Sequence, residues 1–209
     1  MELSTWLTFF AASWAISISP GPGAIASMSA GLNHGFRYGY VTIFGLILGI
    51  WTQLAVVGVG LGALMATSGM AFTVVKWLGV GYLVWLGIAQ WRAPARPMVA
   101  ASESGEVVTQ RALILKAWMI NVVNPKGTVF LLAVVPQFIS LTLPLLPQYL
   151  IIGATLAFTD MVVMTGYTAL AAKVLGALKE PAQIRAMNRV FGSLFVLAGT
   201  LLALFKRAA

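Results

Sequence analysis

Three long stretches of this chain contain no Asp, Glu, Lys or Arg: residues 3–36, 38–75 and 127–159. Each exceeds the about 20 apolar residues that carry a helix across the hydrocarbon core of a bilayer. A water-soluble core cannot absorb three such runs. Only 9% of all residues are charged, against roughly 25% in soluble domains. The chain therefore reads as an all-α integral membrane protein, because a spanning helix satisfies its own backbone hydrogen bonds.

Hydropathy and punctuation divide the chain into six segments, at residues 3–32, 38–65, 72–91, 112–139, 145–172 and 187–205. The stretch Arg92 to Arg111, with two Pro, three Arg, Glu103 and Glu106, reads as a solvent loop. It separates a first three-helix unit (1–91) from a second (111–209), with 92–110 between them. The opening Met1-Glu2-Leu3 lacks the basic start of a signal peptide, so the first segment is expected to stay as an anchor.

Six spans put both termini on one side. The loops on the opposite side, with their flanks, then hold nine basic residues: Arg37, Arg92, Arg96, Arg111, Lys116, Lys173, Lys179, Arg185 and Arg189. The terminal side holds three, Lys76, Lys206 and Arg207. The positive-inside rule places the basic loops in the cytoplasm and both termini outside. Nucleic acid is not an expected partner of these charges; anionic lipid is. With no Cys and a single His, His34, the chain offers neither disulfides nor a multi-His or Cys metal site, and no metal or cofactor is expected.

The halves repeat one another. Ser19-Pro20-Gly21 interrupts the first segment, and Asn124-Pro125-Lys126-Gly127 interrupts the fourth. Lys76-Trp77-Leu78-Gly79 opens the third segment as Arg189-Val190-Phe191-Gly192 opens the sixth. Two units of three spans each enter the membrane from opposite sides, giving an inverted repeat of the kind common in secondary transporters.

Ser19-Pro20-Gly21-Pro22-Gly23 begins about halfway along the first segment, near the bilayer midplane. Pro20 and Pro22 remove two backbone donors and the glycines relax the chain, so the helix is expected to break there. Broken backbone at this depth needs protein or a wet cavity to satisfy it. A half-helix restarting near Gly23 would aim its N–H groups into that cavity, an arrangement suited to a carboxylate; a simple packing kink is the plainer alternative. Pro125 breaks the fourth segment in the same way and adds a charge. Lys126 lies ten residues beyond Lys116, about 15 Å deeper if the stretch is helical. It either binds a substrate carboxylate, snorkels, or sits in a fixed ion pair. Asp160 is the only acidic residue between Glu106 and Glu180. A carboxylate inside a membrane span can exchange a proton, and proton and amine then compete for one group, as an antiporter requires; a structural pair with Lys126 is the alternative. Gln53, the counterpart of Asp160 in the first half, can hydrogen-bond a substrate or another helix. Gly45 and Gly49 read as a packing pair, His34 as a loop residue, and the aromatics Trp77, Tyr82, Trp85 and Trp91 as interfacial belt and core.

Ser19-Pro20-Gly21-Pro22-Gly23 and Asn124-Pro125-Lys126, set in six apolar segments, resemble the LysE/RhtB family of amino acid exporters over nearly the whole chain. Leu32-Asn33-His34-Gly35-Phe36-Arg37, residues 82–88, Pro136-Gln137-Phe138-Ile139 and residues 191–195 are similar to its homoserine/homoserine lactone branch. The resemblance implies efflux of homoserine, its lactone, threonine or related small neutral amino acids across a bacterial inner membrane, driven by protons. Some family members have been described with five spans and a cytoplasmic N-terminus, whereas the repeat here calls for six. Ser19, Gly21, Gly23, Gln53, Asn124, Lys126 and Asp160 are the expected substrate-binding residues, with Asp160 as the proton-coupling group. The rivals are weaker. One intramembrane carboxylate without Cys is a poor divalent-metal site for a cation exporter. The rival from another class is an intramembrane enzyme or an assembly factor; hydrolysis would need a base for Ser19, and the sole His lies in a loop. The glycine pairs suit either a homo-oligomer interface or internal packing.

Overall fold

A computed structural model of the chain describes residues 1–65, 69–94, 109–140, 142–171 and 180–204. The hydrophilic loop expected between Arg92 and Arg111 lies mostly outside the described residues, as do Lys173, Lys179, Lys206, Arg207 and the side chain of Lys76. The described residues form eight helices: α1 (Leu3–Ile18), α2 (Pro22–His34), α3 (Phe36–Met65), α4 (Gly69–Arg92), α5 (Gln110–Val122), α6 (Pro125–Phe138), α7 (Leu145–Ala169) and α8 (Pro181–Leu204).

The six apolar segments thus become eight helices because two of them break, at the two expected places. Segment one splits into α1 and α2, and segment four into α5 and α6, which meet at 55°. Pro22 and Pro125 each open the new helix near its first position, where the missing N–H would have had no helical acceptor anyway. Residues Phe36–Gly60 of α3 and the whole of α7 are long and apolar enough to cross a membrane, and the bent α5–α6 pair qualifies as one broken span. With 16 residues, α1 is about 24 Å long, so it needs α2 to complete a crossing. Leu7, Val56, Val59, Leu78, Trp85, Leu146 and Leu204 are all more than half exposed. So much outward apolar surface requires a hydrocarbon solvent.

Contacts between helices sort their ends into two groups. At one end, Phe9 of α1 meets Phe138 of α6 with ring centroids 5.3 Å apart, and the Trp6 indole donates to Thr155 of α7 at 3.1 Å. At the other, Gln90 of α4 donates to Asn188 of α8 at 2.9 Å, and Trp91 donates to the Arg189 carbonyl at 3.0 Å. Gly31 of α2 abuts Thr168 of α7 at that same end. There α2 passes directly into α3 through Gly35, whose φ of +92° is a backbone conformation that glycine alone adopts without strain. The α6–α7 turn at the first end is held by Gln148, which donates to the carbonyls of Ser140 and Pro144 and accepts from the Ser140 amide.

Glycines set the closest helix approaches. A Cβ on Gly49 would lie 2.6 Å from Cβ of Asn121, and one on Gly79 would lie 2.9 Å from Ala133, so α3 packs on α5 and α4 on α6 nearly backbone to backbone. Two apolar clusters form the interior. The larger contains Phe9, Leu54, Leu83, Phe130, Leu131 and Ile152; the smaller contains Ala24, Met28, Ile43, Leu46 and Met164.

Candidate functional site

Between the two clusters lies a cavity of about 80 Å³. At about 10–15 Å³ for each water-sized group, it has room for roughly five to eight of them. Leu46, Ala24 and Met164 of the smaller cluster and Phe130, Leu131 and Leu156 of the larger one form its apolar walls. Its polar wall comes from the two helix breaks and from α3 and α7. Ser19, Gly21, Gly23, Gln53, Asn124, Lys126 and Asp160, all singled out in the sequence, line this one cavity.

At the first break, α1 ends at Ile18 and leaves carbonyls without helical donors. The Lys126 ammonium donates to the Ser19 carbonyl at 2.6 Å, and the Tyr167 hydroxyl donates to the carbonyl of Ile18. A cation at the C-terminal end of α1 also faces the negative pole of that half-helix. Phe195 of α8 lies under the same ammonium, 5.6 Å from ring centroid to Nζ. The start of α2 is different: no side chain caps it. Gly23 and Ala24, in its first turn, stand at the cavity wall. The Ser19 hydroxyl is buried beside them without a hydrogen-bond partner.

The second break is sealed from within the protein. Asn124 caps α6 by accepting from the Lys126 amide at 3.1 Å. The Gln53 carboxamide donates to the carbonyls of Asn121 (2.7 Å) and Asn124 (3.1 Å) and to the Thr128 hydroxyl (2.9 Å). Gly127 leaves room for it: a Cβ there would sit 2.8 Å from the Gln53 oxygen. Gln53 thus has a structural task in the helix break in addition to its place on the wall. The two breaks share a proline at the start of the new helix and differ in chemistry.

Asp160, on α7, brings the only described carboxylate to the wall. The Ser17 hydroxyl, on the same cavity wall, lies 3.2 Å from the hydroxyl of the neighbouring Thr159. Lys126 takes the Ser19 carbonyl as its hydrogen-bond partner, and it attracts the Asp160 carboxylate through space. An anion-seeking corner (the Lys126 ammonium and the bare turn of α2) therefore shares one small cavity with a cation-seeking carboxylate. A zwitterion with adjacent charges matches that pairing.

Four contributors went unread in the sequence. Asn121, whose side chain donates to the Leu46 carbonyl at 2.6 Å, was signalled by its polarity three residues before Asn124. Ser17, Tyr167 and Met164 carried no such signal, since Ser, Tyr and Met are common in apolar helices.

The family model described as LysE type translocator matches residues 14–205. A homoserine/homoserine lactone efflux protein of Salmonella typhimurium is 43% identical over 208 residues, covering 100% of both chains. A Vibrio cholerae protein described as an uncharacterized membrane protein is 44% identical over 206 residues, 99% of this chain and 100% of its own. A leucine efflux protein of an Enterobacter species is 28% identical over 200 residues, 93% of this chain and 92% of its own. No solved structure matches the chain.

Proposed function

The chain belongs to the LysE type translocator family, and from that premise we propose that it exports small neutral amino acids, homoserine, its lactone and threonine among them, in exchange for protons. The observation that carries this reading is the juxtaposition of Lys126 and the uncapped start of α2 with Asp160 across one cavity. The efflux activities named for the Salmonella typhimurium and Enterobacter relatives agree with it.

In this mechanism the substrate carboxylate sits at the first turn of α2, accepting from the Gly23 and Ala24 amides, from the Ser19 hydroxyl and from Lys126. Its ammonium faces Asp160. The side chain points to the apolar wall of Leu46, Phe130, Leu156 and Met164, which gives no partner to a second charge and so favours neutral side chains. On arrival the carboxylate competes with the Ser19 carbonyl for the Lys126 ammonium, which loosens the hold on the end of α1. Substrate binding is thereby linked to movement of a half-helix.

Asp160 supplies the coupling. Substrate ammonium and proton compete for its carboxylate, and a bare carboxylate in a dry cavity is costly, so the empty carrier returns with a proton in place of the amine. The two apolar clusters act as inner and outer closures in turn. Six crossings in two inverted three-helix units, 1–91 and 111–209, with the basic loops in the cytoplasm of a bacterial inner membrane, complete the reading.

Uptake of labelled homoserine, threonine and leucine into inside-out vesicles, with and without an imposed proton gradient, tests it. Gradient-dependent accumulation of a neutral amino acid is expected. Absence of accumulation for all three, with lysine and arginine equally inactive, would overturn the proposal.

A further inference from the structure

A second cavity, of about 340 Å³, opens between α2, α3 and α5 and is separate from the central one. Its walls are two stripes at helical spacing: Pro22, Ile25, Ala26 and Ser29 on α2, and Leu113, Lys116 and Ile120 on α5. Thr42 of α3 lines it too, with its hydroxyl already donated to the Tyr38 carbonyl at 2.8 Å. The α2 stripe from Pro22 to Ala30 is about 12 Å long, the length of part of an acyl chain. The only charge on the lining is Lys116.

That charge stands at a strongly basic end of the molecule. By the helix contacts described above, the starts of α3, α5 and α8 and the end of α4 lie together there. Among the described residues they carry Arg37, Arg92, Arg111, Lys116, Arg185 and Arg189, against Glu180. A mostly apolar groove at membrane depth with a cation on its wall complements a molecule with an apolar tail and an anionic head. A second copy of the chain is a poorer occupant, because a two-fold contact through this face would bring its basic ends together.

We infer that this groove holds one acyl chain of an anionic phospholipid, with the phosphate on Lys116. The bound chain lies along the outer side of the same first turn of α2, at Pro22, whose inner side at Gly23 lines the central cavity. The lipid would then brace the half-helix that carries the carboxylate site. The binding claim stands on the groove and its charge alone and does not depend on which solute is exported.

Native mass spectrometry of the full-length protein, released from membranes of equal phosphatidylglycerol and phosphatidylethanolamine content, tests it. About a fivefold enrichment of bound phosphatidylglycerol is expected for one lysine beside a headgroup of net negative charge, because the ammonium of phosphatidylethanolamine offsets its own phosphate. Lys116→Gln should reduce it to near parity, Lys116→Arg should keep it, and Ala26→Trp, which fills the groove, should lose it. No enrichment in the parent protein, or enrichment unchanged in Lys116→Gln, would overturn the inference. The chain has no cysteine, so Ser29→Cys gives a single thiol. Oxidative cross-linking to a dimer through it would assign the groove to a second copy. Rapid modification by a membrane-impermeant thiol reagent, unaffected by added phosphatidylglycerol, would assign it to water. The inference requires neither.

Discussion

Replacing Lys126 by Gln separates the task that the structure shows for this side chain from the one proposed for it. In the resting cavity the ammonium caps the broken end of α1 through the Ser19 carbonyl, 2.6 Å away; during transport it would take the substrate carboxylate. Gln keeps an N–H donor for the carbonyl and removes the charge. A neutral donor in place of a charged one should leave the protein folded and inserted, because a carbonyl needs only a donor. The substrate carboxylate, however, loses a charge-assisted hydrogen bond of about 1.5–3 kcal/mol, which corresponds to a fall in kcat/KM of about 10- to 150-fold. Arg should not rescue it, since its planar guanidinium is larger than the ammonium and presents a different donor geometry in a cavity of only about 80 Å³. The assay is initial-rate uptake into inside-out vesicles over a range of amino acid concentrations, normalised to protein in the membrane. Transport by Lys126→Gln within twofold of the parent would refute the reasoning and leave Lys126 as a helix cap only.

Asp160→Asn keeps the size and hydrogen-bonding reach of the side chain but removes its charge; export should be abolished while membrane content, read by immunoblot, stays unchanged. Gln53→Leu removes the two N–H donors that the Asn121 and Asn124 carbonyls and the Thr128 hydroxyl share at the second break, but the two carbonyls keep backbone donors, so a loss of about 1–3 kcal/mol is expected, read as a lower apparent Tm in detergent. Gly49→Val should fail to insert stably, because even a Cβ there would come within 2.6 Å of Asn121. Gly23→Ala places a methyl 3.1 Å from a Leu46 methyl at the cavity wall, and should weaken the uptake of bulkier substrates such as leucine more than that of threonine.

Helix breaks and intramembrane charges were legible in the sequence for one reason: both are expensive in hydrocarbon. Two prolines among glycines, a lysine after Asn-Pro, and one aspartate in an uncharged run stand out against a background of Ala, Leu and Val. They mark the cavity because broken backbone and buried charge can share solvation only by meeting. The segment boundaries followed from the same apolar runs and agree with the helix ends to within a few residues, except at α8, which starts at Pro181 six residues before the apolar run. There Arg185 sits on a helical turn that precedes the apolar stretch, and Arg189 on the turn that opens it. The difference between the two breaks was not legible. That Gln53 seals one break, while Tyr167 and Lys126 serve the other, depends on which helices face each other. Tyr167 lies 149 residues from the Ile18 carbonyl that it holds, and no local pattern encodes such a pairing.

The central claim, a zwitterion held between α2 with Lys126 and the carboxylate of Asp160, is tested most directly by pairing a change in the protein with a change in the substrate. Inhibition of labelled amino acid binding to the purified protein would be measured for the unlabelled amino acid and for its analogue lacking the amino group, in the parent and in Asp160→Asn. The account predicts that the parent prefers the intact amino acid by at least about tenfold, in line with a charge-assisted contact, and that Asp160→Asn shows little preference between the two. An undiminished preference in Asp160→Asn would place the ammonium elsewhere and contradict the account.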